Sequence, residues 1–303
     1  MVASDMKKFI INILIFFGIV AVVDFGAGKI FRYLQSHAGG RTGAEWYACK
    51  ESNEEVIIMG SSRASHHYVP QIITDSLGLS CFNAGQDGNG IILQYGRWKM
   101  ISERYTPKAV IYDITSVFDM CLNDNMTYMD RLKPFSDNNS IKEYISELFP
   151  LERFKLLSQM YCFNYKFIEM SFDCLGQRKS DNPSGYLPEY GHIREEVIEK
   201  AIEKKDSRAV DTIKLHCLEK LIKEVKSKGT KIYFVISPYW KGGGESLSAY
   251  SSIKELTDKY NVPFIEYISS EICDNPDYFE DSMHLNDNGA TEFTKQLVDK
   301  IHI

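Results

Sequence analysis

The sequence has no Cys-x-x-Cys pair, no internal repeat, no low-complexity tract and no excess of positive charge. Each absence removes a class of function. Seven cysteines, at positions 49, 81, 121, 162, 174, 217 and 273, lack the paired spacing of a structural zinc site. Their odd number forbids a complete disulfide framework within one chain, although an exported domain would leave room for one or two bridges. The others are expected to pack as small apolar side chains. A formal net charge of -6 argues against a general nucleic-acid binder, while leaving room for a local positive site facing an anionic substrate. The full Gly-x-Gly-x-x-Gly pattern is missing after the second strand-like run, which removes a dinucleotide-binding reading. Neither a metal nor an organic cofactor is expected.

What is present describes a folded chain with an apolar head. The 44% hydrophobic and 25% charged fractions are those of a globular protein rather than a disordered one. Lys7 and Lys8 precede an apolar run from Phe9 to Val23, broken only by Asn12 and closed by Asp24. Alone, this run is short for a bilayer span of roughly 20 residues, yet long for a signal-peptide core. Extending it through Phe25 to Ile30 gives adequate length if Asp24 sits near the interface. An uncleaved signal anchor over residues 1–30 is therefore preferred to a cleaved signal peptide. No cysteine follows the run, so a lipid-attached terminus is not supported. A linker is expected over residues 31–52, its most linker-like part being Ser36 to Ser52.

From residue 53 onward, short apolar runs alternate with amphipathic ones. Val56-Ile57-Ile58-Met59, Cys81-Phe82-Asn83-Ala84, Ala109-Val110-Ile111-Tyr112, Lys231 to Ile236 and Pro263 to Glu266 read as buried strands. Helices are expected at about Val69 to Leu77, Ile91 to Tyr105, Ala209 to Lys228, Ser251 to Tyr260 and Asp287 to Ile301. This alternation predicts one α/β domain with a five-stranded parallel sheet and helices on both faces. The interval at about 119–205 interrupts it. Its stretch Ile141 to Phe172 reads as helical and Asp173 to Tyr190 is rich in Gly, Pro, Asn and Ser, so it is expected to be a mainly helical insertion at one end of the sheet.

Three segments fall where such a sheet places a site, beyond the carboxyl ends of its strands. Gly60-Ser61-Ser62-Arg63 follows the first strand, where a turn into a helix can expose a serine hydroxyl beside free backbone N–H groups. Asn83-Ala84-Gly85-Gln86-Asp87-Gly88 follows the second, and its glycines let backbone amides approach an oxyanion. Asp281-Ser282-Met283-His284 precedes the terminal helix. A serine nucleophile needs a base, histidine suits neutral pH, and the histidine needs a carboxylate to set its tautomer. The Asp-x-x-His spacing supplies both from one loop. His66 is an alternative base, four positions after Ser62. Arg63 is a candidate for holding an anionic substrate, and Trp240, after the fourth strand, for stacking on a sugar.

The order of these blocks resembles the SGNH/GDSL hydrolase family, over roughly Glu54 to Ile301. Gly60-Ser61-Ser62 is similar to its Gly-Asp-Ser block with Ser61 in place of the aspartate, so the nucleophile carries over to Ser62. Asn83-x-Gly-x-x-Gly88 is similar to the second block, and implies an oxyanion hole built from the Ser62 and Gly88 amides. Asp281-x-x-His284 is similar to the last, and implies the orienting acid and the general base. The third block departs: Asp113 to Asp119 holds no asparagine, so either Thr115 or Ser116 substitutes as donor or that donor is missing. The resemblance implies the three-layer, flavodoxin-like SGNH fold and a serine esterase or O-acyltransferase of the cell envelope. It would act on acyl, notably acetyl, esters of carbohydrate from the outer side of the cell membrane, alone or with a membrane acyltransferase partner. The alternative is a non-catalytic envelope module of the same fold that binds glycan or a partner protein.

Overall fold

The computed structural model describes residues 2–121, 123, 125–176, 184–198, 209–242 and 247–303. They form two compact units, Met1–Trp46 with Asp130–Lys179, and Tyr47–Met129 with Ser180–Ile303. Parts of the expected insertion, residues 177–183 and 199–208, lie outside the described residues, as do two of the glycines after Trp240.

The second unit is a three-layer α/β fold. Its sheet comprises β1 (Val56–Gly60), β2 (Cys81–Asn83), β3 (Ala109–Asp113), β4 (Lys231–Ile236) and β5 (Phe264–Glu266). All neighbours are parallel, in the order β2-β1-β3-β4-β5. β1 and β3 are buried at every residue, which is why they read as unbroken apolar runs. One face, carrying Ile58, Ile111 and Val235, joins Tyr68, Ile73, Phe293 and Leu297 in a buried cluster. Helices Ser62–His67, Pro70–Leu77 and Asp287–Val298 pack together on that side. Helices Ile91–Arg104 and Thr212–Ser227 pack against each other and against β1 and β4 on the other. The edge strands β2 and β5 are each three residues long, giving little exposed ladder for another chain to join.

Local chemistry sets the helix ends. Pro70 starts one helix, and Gly78 closes it in the left-handed region at φ 66°. Asp211 caps another by accepting from Ile213 N at 2.8 Å, and Leu218, Leu221, Ile222 and Val225 form its buried stripe. Strand order reverses between β1 and β3, so their carboxyl ends open on the crevice where ligands bind such sheets.

The first unit holds the helix Val2–His37, a short helix Gly40–Trp46 and helical turns between residues 130 and 176. Residues 5–37 are long and apolar enough to cross a membrane. The expected linker is corrected here. Residues 31–37 continue the long helix, 40–46 form another, and Tyr47–Glu51 is a wide helical turn belonging to the sheet unit. The polar residues Thr42, Glu45 and Ser52 are buried and partnered. Thr42 N donates to Asp173 Oδ2 at 3.0 Å, Glu45 pairs with Arg131 and Lys166, and Ser52 Oγ donates to the Ala48 carbonyl at 2.9 Å. The insertion is corrected as well: residues 119–129 and 184–198 belong to the sheet unit, and only 130–176 to the helical one. All seven cysteines are free, and six are buried.

Candidate active site

The candidate nucleophile sits where β1 breaks into a helix. Gly60 has φ 141°, and a Cβ there would lie 2.6 Å from the Asp113 carbonyl, so only glycine lets β1 turn this closely past β3. Ser61 is fully buried, and its hydroxyl shares a 2.7 Å hydrogen bond with Thr115 Oγ1. Ser62 is the first helical residue and is partly exposed. Two adjacent serines thus face opposite ways, one into the fold and one outward.

The partner loop is a short turn held at both ends. Phe279 and Leu285 are fully buried and bridge each other in antiparallel fashion, while Glu280 N donates to the His284 carbonyl at 2.9 Å. This turn points Asp281 and His284 outward together. His284 Nε2 lies 2.9 Å from Ser62 Oγ. Its Nδ1 lies 3.0 Å from Asp281 Oδ2 and 3.2 Å from Oδ1. Oδ1 also accepts from Met283 N at 2.6 Å and His284 N at 2.8 Å. Burial works against ionising Asp281, but the His284 contact and the two backbone donors outweigh it and hold the pKa below the ordinary carboxylate value. A serine, an imidazole and a carboxylate are therefore in hydrogen-bond sequence.

His67, which no sequence motif marks, positions this loop. It is fully buried, its Nδ1 lies 2.8 Å from Ser237 Oγ, and its Nε2 accepts from Leu285 N at 3.0 Å. Accepting from a backbone amide requires an unprotonated Nε2. Burial agrees, pushing the pKa well below 6.5 with help from the Arg63 charge. The doublet His66-His67 on a helix following the serine was the only trace of this in the sequence. His66 has a different setting: Nδ1 lies 2.6 Å from the Leu187 carbonyl and Nε2 3.2 Å from Asp87. Burial disfavours its cation, yet the Asp87 contact, the carbonyl and Glu189 raise its pKa above 6.5. With both nitrogens engaged, His66 stands beside His284, ring centroids 5.6 Å apart, rather than serving as the base.

The glycine loop packs against the same helix. A Cβ on Gly85 would meet Ser65 N at 2.5 Å, and Gln86 N donates to the Gly60 carbonyl at 3.1 Å. Asn83 ties the loop down through Nδ2 to the carbonyls of Ala64 at 2.7 Å and Tyr68 at 3.1 Å. Gly88 is exposed at φ 66°, next to the Asp87 that pairs with His66. Among the described residues no acceptor takes the Ser62 or Gly88 N–H, which leaves both able to serve an incoming oxyanion. The segment 184–193 crosses the same end of the fold: Leu187 N donates to the Ser65 carbonyl at 2.9 Å and Ile193 N to the Phe279 carbonyl at 2.8 Å.

Three expectations change. Thr115 Oγ1 is buried and takes up Ser61 and, at 3.3 Å, Arg63 Nε, so it is a strut under the nucleophile rather than a substrate donor. Ser116 is likewise buried, at the start of a helical turn that Asp119 locks by accepting from Thr115 N and Tyr112 OH, each at 2.7 Å. Burial pushes the Asp119 pKa up to about 7 in spite of those donors.

Arg63 is also not a substrate ligand. It has no exposed surface, pairs with Asp113 at 3.1 Å, donates to the Ser237 carbonyl at 3.2 Å and to that of Ile114, and lies 4.0 Å over the Tyr239 ring. Arg63→Met should destabilise the protein by about 3–5 kcal/mol in urea unfolding, because Asp113 would be left buried without its cation. Unchanged stability with a raised KM would instead restore a substrate role. Trp240 is 2% exposed with its ring 5.6 Å from that of Phe279, and its backbone N–H donates to the Ser282 carbonyl at 3.3 Å. It buttresses the Asp281–His284 turn, and no face is free for a sugar.

No protein-family model matches the sequence, and no curated protein sequence does either. Solved structures similar to the chain include an acetylxylan esterase from Geobacillus stearothermophilus, 10% identical over 83% of this chain and 95% of that one, at a TM-score of 0.40. Another is an acetyl xylan esterase from the rumen bacterium Butyrivibrio proteoclasticus, 10% identical over 81% and 62%, at 0.33. A Bacteroides fragilis protein described as an acylhydrolase is 14% identical over 83% and 89%, at 0.37. What this chain can do rests on the geometry of its own residues. Among those described, no group of three His, Cys, Asp or Glu could hold a metal ion. A cavity of about 360 Å³ lies at the opposite, amino end of β4 and β5, lined by Lys231, Pro263 and His302 among others, and includes none of the candidate residues.

Proposed function

We propose that the chain is a serine esterase or O-acyltransferase acting through Ser62, His284 and Asp281. One observation carries this reading: the unbroken contact from Ser62 Oγ to His284 Nε2 at 2.9 Å and from His284 Nδ1 to Asp281 at 3.0 Å. With Nδ1–H donated to Asp281, Nε2 is free to take the Ser62 proton as Oγ bonds to the acyl carbonyl carbon. The Ser62 and Gly88 amides receive the negative oxygen. Collapse of the adduct breaks the ester bond, and the departing alkoxide takes the proton from His284. Water or a carbohydrate hydroxyl then gives a proton to His284, attacks the acyl-serine and restores the Ser62 hydroxyl.

The resemblance of the three sequence blocks to SGNH hydrolases supports acylated, notably acetylated, cell-envelope carbohydrate as substrate. In this reading the helix 5–37 tethers the enzyme in the cell membrane with the sheet unit on the outer side, where a membrane acyltransferase would be a natural partner. The third-block loop favours a slow catalyst or a glycan-binding module, since it offers no asparagine and commits Thr115 to Ser61. Incubation with an acetylated oligosaccharide and an unacetylated acceptor, products identified by mass, separates these outcomes. Free acetate marks an esterase and acetylated acceptor a transferase. Donor left unchanged, yet retained by the protein, marks the binding module.

A further inference from the structure

The helical unit carries an outward surface that does not suit water. Between Leu151 and Leu175, the side chains of Leu151, Phe154, Leu157, Ile168, Phe172 and Leu175 are all exposed, Leu151 at 74% and Leu175 at 73%. The same stretch turns Leu156, Cys162, Phe163 and Met170 inward, each at most 4% exposed. It is therefore apolar on both sides, whereas a surface element in water is apolar on one. Soluble monomers rarely expose contiguous apolar patches beyond a few hundred Å².

This surface is continuous with the long helix. Phe31 packs on Phe163 and Phe167, ring centroids 5.4 and 6.2 Å apart. Asp24, which closes the apolar run, accepts from Ser158 Oγ at 2.7 Å, Gln159 N at 2.8 Å and Met160 N at 2.9 Å. An ionised side chain facing lipid is costly; here three donors meet it. The run Phe9 to Val23 spans only about 22 Å at 1.5 Å per residue, against a hydrocarbon layer of about 30 Å. The missing thickness falls on the turns beginning at Asp24, where the helix meets the 151–175 segment.

We propose that residues 151–175 are immersed in a lipid bilayer, their outward apolar side chains contacting acyl chains and completing the hydrophobic belt that the helix begins. The inference rests on the reading of that helix as a membrane span. Arg153, exposed between Leu151 and Leu157, then reaches outward to the headgroups along its own methylene stem, while Lys155 is neutralised within the segment by Glu152 at 2.7 Å. Asp24 is held by the segment itself, so the span tolerates a carboxylate inside its apolar length.

The test uses the full chain in phosphatidylcholine vesicles whose acyl chains are plain or brominated, with single substitutions Phe16→Trp, Phe154→Trp and Phe172→Trp. These positions are 61%, 62% and 44% exposed, so a tryptophan fits without repacking. Emission added by each new tryptophan should be blue-shifted and largely lost in brominated vesicles. Loss at position 16 with none at 154 and 172 would overturn the immersion of the segment while leaving the span intact. No loss at any of the three would overturn the span and the inference with it. Blue-shifted but unquenched emission at 154 and 172 would also overturn it, showing protein, not lipid, over this surface.

Discussion

Ser62→Ala is expected to lower kcat on an activated acetyl ester by about 10⁶-fold, the scale lost when a serine nucleophile is removed from a working triad. His284→Ala should cost a similar factor, and the double variant little more, because nucleophile and base act as one unit. The expectation follows from the 2.9 Å contact between Ser62 Oγ and His284 Nε2, and from the way the neighbouring groups are spoken for. Ser61 is buried against Thr115, and His66 is held by Leu187 and Asp87, so neither stands ready as a replacement. Residual activity in Ser62→Ala would come from the Ser62-position and Gly88 amides, which the substitution leaves in place. Wild-type activity should itself be modest, since a missing oxyanion donor costs roughly 10²–10³ in rate. A Ser62→Ala protein that keeps the wild-type kcat has another nucleophile.

The second large effect belongs to Asp281. Asp281→Asn should lower kcat by between about 10³- and 10⁴-fold, with KM little changed, in line with tautomer loss in other triads. Met283 N and His284 N both donate to Oδ1, so the amide oxygen of an asparagine would take that place. Its NH2 would then replace Oδ2, 3.0 Å from His284 Nδ1. A donor facing Nδ1 moves the imidazole proton to Nε2, which can no longer accept from Ser62. The lower end of the range reflects an Asp281 side chain 53% exposed, where water screens part of its charge. A drop confined to KM, with kcat intact, would mean that Asp281 binds substrate rather than orienting the base.

The parts legible in the sequence are those where one residue type has one cause. β1 and β3 are buried on both faces, and their apolar runs said so. Asp281-x-x-His284 carried its own spacing, whereas the Phe279–Leu285 bridge that clamps it is formed only in the fold. Burial of polar side chains was not legible. Arg63 looked like a ligand for an anion because its partner Asp113 lies fifty residues away in sequence and meets it only across β1 and β3. Trp240 reads as a sugar platform, but its ring is buried against Phe279. His67 matters through a contact to Leu285 N more than two hundred residues distant, which no local pattern records. Residues 31–52 are expected as a linker, yet 40–46 fold as a helix because Asp173, Arg131 and Lys166 supply partners from afar.

The central claim is that Ser62 is a nucleophile activated by His284, and a fluorophosphonate tests it most directly. The reagent bonds only to an activated hydroxyl and adds one phosphonyl group, which intact-mass measurement counts and peptide mapping places. The account predicts one adduct on Ser62 in the wild-type protein, none in Ser62→Ala and little in His284→Ala. An adduct that persists in Ser62→Ala, or a wild-type protein that takes up none, would contradict it.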